Sequence, residues 1–368
     1  MTSGPVAIVA VGELFGGAER HILGLGAFLR ECGRSPRVIL FHDRELASCC
    51  RQDGLPVHVL PTRSAWDLAG PRRLGELLAR HEIQLVHVHG YKAAVNAALA
   101  PGRFAVAATV HGQGEPTWRN PRAYGKDRLY RSLEVWACRR RRAVVCFVTA
   151  DLQRRHGHRY RRLAQVTIPN GITPLACDDF PVRPAGLLRD RLQALMVGRL
   201  TAVKGIDLAL DALAKVPADV PWHLNLIGEG GLRPALDDRV RRLGLQDRVS
   251  FLGFRRDVYA LMAHSDLLIM SSYHEGLPYT LLEAMSLGLP VLASNVGGLA
   301  EVLRHEKTGL LVPAGDVPAL AAALVRLGRD SDLRRRLGKQ AAAVQRGSYT
   351  LAAMGQSYLG AYAAATVL

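Results

Sequence analysis

Short apolar runs alternate with stretches of helical periodicity along the whole chain. VAIVAV (6–11), RVILF (37–41), VHVL (57–60), LVHVH (85–89), AVAATV (105–110) and AVVCFV (143–148) have strand length and few polar positions, as expected of strands covered on both faces. Between them, GGAERHILGLGAFLREC (16–32) and GPRRLGELLARHE (70–82) place apolar residues three and four apart, which predicts amphipathic helices. The alternation starts again after residue 190 with ALMVG, HLNLIG, VSFLG, DLLIMSS, PVLAS and GLLVP. Strands alternating with helices form parallel sheets flanked by helices. The Pro-, Gly- and Asp-rich stretch IPNGITPLACDDFPVRPAGLL (168–188) lies between the two series and reads as their connection. The expected organisation is a Rossmann-like domain over 1–172, a linker over 173–190, a second Rossmann-like domain over 191–345 and a terminal helix over 346–368. In such α/β sheets ligands bind outside the carboxyl ends of the strands.

Length and composition agree with that division. A chain of 368 residues exceeds one ordinary core. An apolar fraction of 49% with a mean hydropathy of +0.06 predicts a soluble globular protein. No apolar run approaches the roughly 18 residues of a membrane span, and MTSGPVAIVAVGELFGG lacks a basic signal-peptide start. Six cysteines without a C-x-x-C pair point to reduced thiols in the cytoplasm. The charge changes the picture more. Of a net +16, residues 119–162 alone carry 14 basic and 3 acidic side chains, which suggests an anionic partner.

Candidate chemistry falls where strands stop. Gly16 and Gly17 follow the first strand and precede a helix, where a backbone can approach a phosphate; the segment does not fit G-x-G-x-x-G and is equally compatible with a plain tight turn. Arg199 and Lys204 follow ALMVG at the mouth of a helix, either as a diphosphate clamp or as two solvated cations. Gly228, Gly230 and Gly231 begin like a dinucleotide fingerprint that Arg233 breaks. His111 closes AVAATV. His87 and His89 alternate along one strand, but no third ligand is near in sequence, and the DSD at 330–332 reads as a helix N-cap, so no metal site is assigned. In SYHEGLPYTLLEAMSLGLP (272–290), Glu275 and Glu283 flank a Gly-Leu-Pro turn and a helix start. A helix start prefers an anion, so the two acids have to serve something else.

The segments GGAER, VHG (110–112), IPNGI (168–172), VGRLTAVKG (197–205) and HEGLPYTLLEAMSLGLPVLASNVGGLAEVL (274–303) together resemble the retaining glycosyltransferases of the GT-B fold, family four, over essentially the whole chain. The spacing Glu275-x7-Glu283 matches that family's E-x7-E signature. The resemblance implies an α/β GT-B architecture of two Rossmann-like domains facing a cleft, the first binding the acceptor and the second the nucleotide-sugar, with the C-terminal helix crossing back to the first. It implies that Glu275 contacts donor sugar hydroxyls and that Glu283 holds the ribose. Backbone around Gly276, Leu277, Pro278, Tyr279, Thr280 and Leu281 would meet sugar and phosphates. Arg199 and Lys204 would stabilise the departing diphosphate, with no cofactor and no metal. Gly16 and Gly17 would approach phosphate or acceptor, and His111 would face the reacting sugar. The implied activity is a retaining, metal-independent hexosyl transfer by front-face displacement. The acceptor would be a glycan or glycolipid hydroxyl, in bacterial cell-surface polysaccharide or lipopolysaccharide synthesis.

The basic stretch mixes Arg119, Arg122, Lys126, Arg128, Arg131, Arg139, Arg140, Arg141 and Arg142 with aromatic residues. That composition suits an anionic membrane surface or a lipid-linked acceptor at the inner face of the cytoplasmic membrane. The competing readings are a basic nucleic-acid-binding protein, which the lack of a reader motif disfavours, and a nucleotide-sugar epimerase of similar build.

Overall fold

The computed structural model describes residues 4–13, 16–61, 67, 69–112, 121–188 and 190–367, the side chains of 121–124 excepted. The chain divides into two compact units, Met1–Gly171 with Leu351–Leu368, and Ile172–Thr350.

The first unit alternates β1 (Val6–Ala10), α1 (Gly17–Glu31), β2 (Pro36–Leu40), α2 (Glu45–Gln52), β3 (Val57–Val59), α3 (Gly70–Arg80), β4 (Leu85–His89), α4 (Tyr91–Leu99), β5 (Ala105–Val110), α5 (Pro121–Arg140), β6 (Val144–Phe147), α6 (Ala150–His156) and β7 (Gln165–Thr167). The strands form one sheet in the order β3-β2-β1-β4-β5-β6-β7, and every pairing is parallel. All five residues of β1 and of β4 are buried, which is why both read as unbroken apolar runs apart from two histidines. Strand order reverses between β1 and β4, the kind of position where doubly wound sheets bind ligands.

The second unit repeats the plan with β8 (Leu192–Val197), α7 (Ile206–Leu213), β9 (Trp222–Ile227), α8 (Arg233–Arg242), β10 (Val249–Gly253), α9 (Val258–Ala263), β11 (Leu267–Met270), α10 (Tyr279–Ser286), β12 (Val291–Ser294), α11 (Gly297–Val302), β13 (Leu310–Val312), α12 (Val317–Arg329) and α13 (Ser331–Ser348). Its sheet runs β10-β9-β8-β11-β12-β13, again all parallel, and reverses between β8 and β11. Asp330 accepts from the Leu333 N–H and starts α13, so the DSD is a helix cap.

Two boundaries differ from the sequence expectation. Residues 172–188 do not hang between the units. Leu175 N–H donates to Ser286 Oγ, the Cys177 thiol to the Leu287 carbonyl and His264 Nε2 to the Phe180 carbonyl, which fastens this stretch to the second unit. The terminal helix, α14 (Leu351–Val367), starts after a break rather than at 346. Tyr349 caps α13, and Thr350 bridges to Ile172. α14 belongs to the first unit, where Met354, Tyr358 and Tyr362 enter its core. Among the described residues no helix is long and apolar enough to cross a membrane.

Candidate active site

In the second unit, the carboxyl ends of β8, β11 and β12 converge on one glutamate. Beyond β8 the chain passes Gly198 and Arg199 into a short 3-10 turn ending at Lys204. Gly205 follows with φ +57°, and a Cβ there would lie 2.1 Å from the Ser271 carbonyl oxygen. Only glycine lets this turn rest on the β11 exit. Ser271 Oγ donates to the Gly205 carbonyl at 2.7 Å, and the Tyr273 N–H donates to the Val203 carbonyl at 2.9 Å. Held this way, Lys204 Nζ reaches Glu275 Oε1 at 2.6 Å, and Ser272 Oγ donates to the same oxygen at 2.7 Å. From the β12 side, a Cβ on Gly297 or Gly298 would stand 2.0 Å from the carbonyl oxygen of Glu275 or Gly276 respectively. The start of α11 therefore presses on the backbone that carries Glu275. Arg199 is exposed and lines a small cavity together with Lys204, Ser272 and Glu275.

Glu283 sits on α10, 1% exposed, and accepts from the Tyr259 hydroxyl at 3.2 Å. Pro278 has extended backbone and caps α10. The side chains of Leu277, Tyr279 and Leu281 are buried, and the Leu281 N–H donates to the Pro278 carbonyl. These three side chains are core, and Leu281 offers no free N–H. Of the expected substrate-facing run, Gly276, Pro278 and Thr280 remain half-buried.

The first unit gathers four imidazoles. β4 supplies His87 and His89, the end of β5 supplies Thr109 and His111, α1 supplies His21, and α14 supplies Tyr358 and Tyr362. His87 is bonded at both nitrogens, to the Tyr362 hydroxyl at 2.8 Å and to Thr109 Oγ1 at 2.7 Å, and Thr109 meets the Tyr358 hydroxyl at 2.9 Å. His89 Nδ1 meets His111 Nε2 at 2.8 Å, and His21 Nδ1 meets Asn170 Oδ1 at 3.0 Å. Burial lowers the His21 pKa to about 4, against the upward pull of Asn170. It holds His87, His89 and His111 well below the usual histidine value, with the neighbouring rings adding to the effect. The rings are neutral at pH 7. Among the described residues, no three His, Cys, Asp or Glu side chains are arranged to hold a metal ion. Gly16 caps α1 with extended backbone, and among the described residues a Cβ there would meet only Glu19, at 3.6 Å, so none of their contacts demands glycine at that position.

Comparison with known proteins shows the family. Glycosyltransferase Family 4 matches residues 15–174, and Glycosyl transferases group 1 matches residues 182–344. The chain belongs to the GT-B glycosyltransferases of group 1. It is 35% identical over 145 residues to the N-acetyl-alpha-D-glucosaminyl L-malate synthase of Bacillus anthracis, covering 39% of this chain and 38% of that protein. It is 26% identical over 271 residues to the Escherichia coli UDP-Gal:alpha-D-GlcNAc-diphosphoundecaprenol alpha-1,3-galactosyltransferase, covering 71% and 70%. The crystal structure of Anabaena Alr3699/HepE in complex with UDP-glucose superposes with a TM-score of 0.84 over 98% of this chain and 99% of that one, at 23% identity.

In this group 1 glycosyltransferase the basic stretch is not one surface. Arg140 Nε donates to the Ala98 carbonyl at 3.0 Å. Arg141 donates to the carbonyls of Ala97, Ala100 and Gly102, and its guanidinium lies 4.2 Å from the centre of the Phe104 ring. These two arginines cap the carboxyl end of α4, the task cations perform at a helix end: Arg141 engages its whole guanidinium there, while Arg140 does so through Nε and stays exposed. Arg131 pairs with Asp127 at 2.7 Å, and Arg139 donates to the Arg159 carbonyl at 2.7 Å. Arg128, Arg131, Arg139 and Arg159 border a groove of about 700 Å³ with Trp136, which is 43% exposed. Lys126 and Arg142 are exposed. Arg119 and the side chain of Arg122 lie outside the described residues.

Several residues that matter here were not singled out from the sequence. The Gly297–Gly298 pair could have been, since a glycine pair between a strand and a helix is the signal that marked Gly16 and Gly17, and Ser272 could have been as a polar residue at a strand end. Tyr259 carries no such mark, nor do His21, Tyr358 and Tyr362.

Proposed function

We propose that this chain moves a sugar from a nucleotide-diphosphate donor to a hydroxyl of a glycan or glycolipid, with retention and without a metal, in bacterial cell-surface polysaccharide or lipopolysaccharide synthesis. The observation that carries this reading is Glu275, anchored from three strand exits beside Lys204 and Arg199. Among the described residues, the side-chain hydrogen bonds of Glu275 both fall on Oε1, which leaves Oε2 for a sugar hydroxyl. Glu283, pinned by Tyr259, suits the ribose. Arg199 and Lys204 supply cations where a diphosphate gains charge as it departs. In the displacement, the acceptor oxygen bonds to the anomeric carbon on the face from which the diphosphate leaves. The anomeric C–O bond breaks, and the departing phosphate oxygen takes the acceptor's proton. The relatives support a nucleotide-sugar donor, UDP-Gal for the E. coli galactosyltransferase and UDP-glucose in the HepE complex, and the E. coli enzyme's diphosphoundecaprenol-linked acceptor supports a lipid-linked one here.

The same reading puts the α5 groove against an anionic membrane surface, with Arg128, Arg139 and Arg159 as its cations and Trp136 as its apolar element. The test of the chemistry is a product assay with UDP-, GDP- and ADP-sugars in EDTA, read by mass spectrometry and by NMR of the anomeric proton. Transfer with the donor's anomeric configuration is expected. An inverted product, or activity restored only by a divalent ion, would overturn the mechanism. Flotation with phosphatidylglycerol vesicles tests the surface. Binding by wild type that the Arg128→Glu/Arg159→Glu variant loses is expected, and equal binding by both rejects it.

A further inference from the structure

A neutral imidazole carries one N–H and one lone pair, so the partner of one ring nitrogen dictates what the other can offer. Both nitrogens of His87 are engaged inside the protein. His89 and His111 share a single hydrogen bond, Nδ1 to Nε2 at 2.8 Å, with the rings only 24° from parallel. One ring must donate and the other accept. Among the described residues, the second nitrogen of His89, Nε2, is buried without a hydrogen-bond partner, and His89 as a whole is 5% exposed. If His89 accepted, its proton would sit on Nε2 as a buried N–H with no acceptor, the rarer kind of orphan in folded proteins. If His89 donates, the orphan is a bare lone pair. His21 fits the same pattern. Its Nδ1 faces an amide oxygen, which can only accept, and its own buried Nε2 has no partner among the described residues.

We propose that His89 is a positioning residue that fixes His111 as its Nδ1–H tautomer. His111 then meets a substrate hydroxyl as a hydrogen-bond donor and cannot act there as a base. This rests on the reading above that His111 faces substrate. Its Nε2 is occupied by His89, and among the described residues its Nδ1 has no hydrogen-bond partner. Low pKa values keep both rings neutral, so the tautomer does not collapse into a doubly protonated ring near pH 7. Nothing in the chain's local sequence sets this tautomer. It follows from β4 and β5 being parallel neighbours with His89 opposite Thr109, two residues before His111.

The test is a long-range proton–nitrogen correlation spectrum of the full chain labelled with 15N-histidine, with His111 assigned by its loss in His111→Asn. Wild type should show a protonated Nδ1 and a bare Nε2 at His111. His89→Leu removes the donor and should let His111 shift toward the Nε2–H form. His89→Asn places an amide N–H near the former Nδ1 and should restore the wild-type pattern. Turnover of whichever donor the product assay selects should fall about tenfold in His89→Leu, the loss of one aligned hydrogen bond, and recover in His89→Asn. Protonation of His111 on Nε2 in wild type overturns the proposal. So does an equal loss of turnover in the two His89 variants with circular dichroism unchanged, since that is a packing effect. Full activity in His111→Ala would instead overturn the placement of His111 at the substrate, whatever tautomer the spectrum shows.

Discussion

Acidification from pH 7 to pH 5 should loosen the first unit. The imidazole network is the reason. An unfolded histidine titrates near 6.5, whereas His21 in the folded chain is held at about 4. Between those values the unfolded chain binds a proton that the native state refuses. Stability is therefore full above pH 6.5 and is lost as pH falls through this window. Integrated from pH 7 to pH 5, His21 alone contributes a loss of about 2 kcal/mol. His87, His89 and His111 act in the same direction, and so does His156, held at about 4 by burial and then by nearby arginines. One group opposes them. Burial raises the Glu134 carboxyl to about 7; a raised group stabilises at low pH, and this gain is lost as pH rises through 7. Over the same interval its contribution is at most about 2 kcal/mol, less because the side chain is only partly buried.

One carboxyl can cancel one imidazole, so the remaining rings decide the sign. Carboxyls lowered by ion pairs, such as Asp43, Asp257 and Glu306, titrate below pH 5 and do not enter. The assay is urea unfolding of the full chain at half-unit steps from pH 7 to 5, in wild type and His21→Leu. Each buried ring adds about 1.4 kcal/mol per pH unit to the slope, and His21→Leu should lose that much. Equal slopes in the two proteins, or a wild-type stability flat across the interval, would refute the reasoning.

Three other outcomes are expected. Glu275→Gln and Glu283→Gln should keep the fold by circular dichroism and lower turnover roughly 10- to 150-fold, the equivalent of a charge-assisted hydrogen bond of about 1.5–3 kcal/mol; near-native rates in both reject the site. Gly205→Ala should cost about 1–3 kcal/mol in urea unfolding, because it combines a left-handed φ with a 2.1 Å clash against Ser271, and an unchanged midpoint rejects the close approach. Arg141→Ala should destabilise by about 2–3 kcal/mol, since it abandons three carbonyls at the end of α4. Arg142→Ala, at an exposed side chain, should stay within about 0.5 kcal/mol, and equal effects reject the capping role.

Much of the sheet architecture was legible because parallel strands are buried on both faces and announce themselves as apolar runs. Each of the twelve runs singled out overlaps an observed strand, since burial removes the polar alternation that would blur it. β7 escaped because two of its three residues, Gln165 and Thr167, are polar; β3 is equally short and half-buried, but its two valines made it visible. α14 was visible as a helix, but its start was misjudged. Ser348 and Leu351 belong to different helices with two residues between them, and Tyr349 and Thr350 are not residues that mark a break.

The site divides along the same physical line. Glu275, Lys204 and Arg199 were legible because each sits at a strand end, where chain direction alone brings loops together. The partners that fix them were harder to see, because they depend on which strand exits touch. Gly205 against Ser271 and Gly297 against Glu275 are contacts between loops far apart in sequence, and each is decided by a backbone approach that only a missing Cβ permits. The imidazole network is further from view. His87 meets Tyr362 across 275 residues, Thr109 meets Tyr358 across 249, and His21 meets Asn170 across 149. A lone histidine in an apolar run reads as an ordinary core residue, and a tyrosine in an alanine-rich helix reads as surface or core. Only the sheet order β1-β4-β5, with α1 and α14 packed on it, turns those separate residues into one cluster of neutral rings, three hydrogen-bonded groups packed ring against ring. The same long reach explains the four-arginine run, which composition assigns wholly to a surface. Local sequence records the charge of Arg140 and Arg141, but it takes the end of α4, some forty residues earlier, to determine where that charge goes.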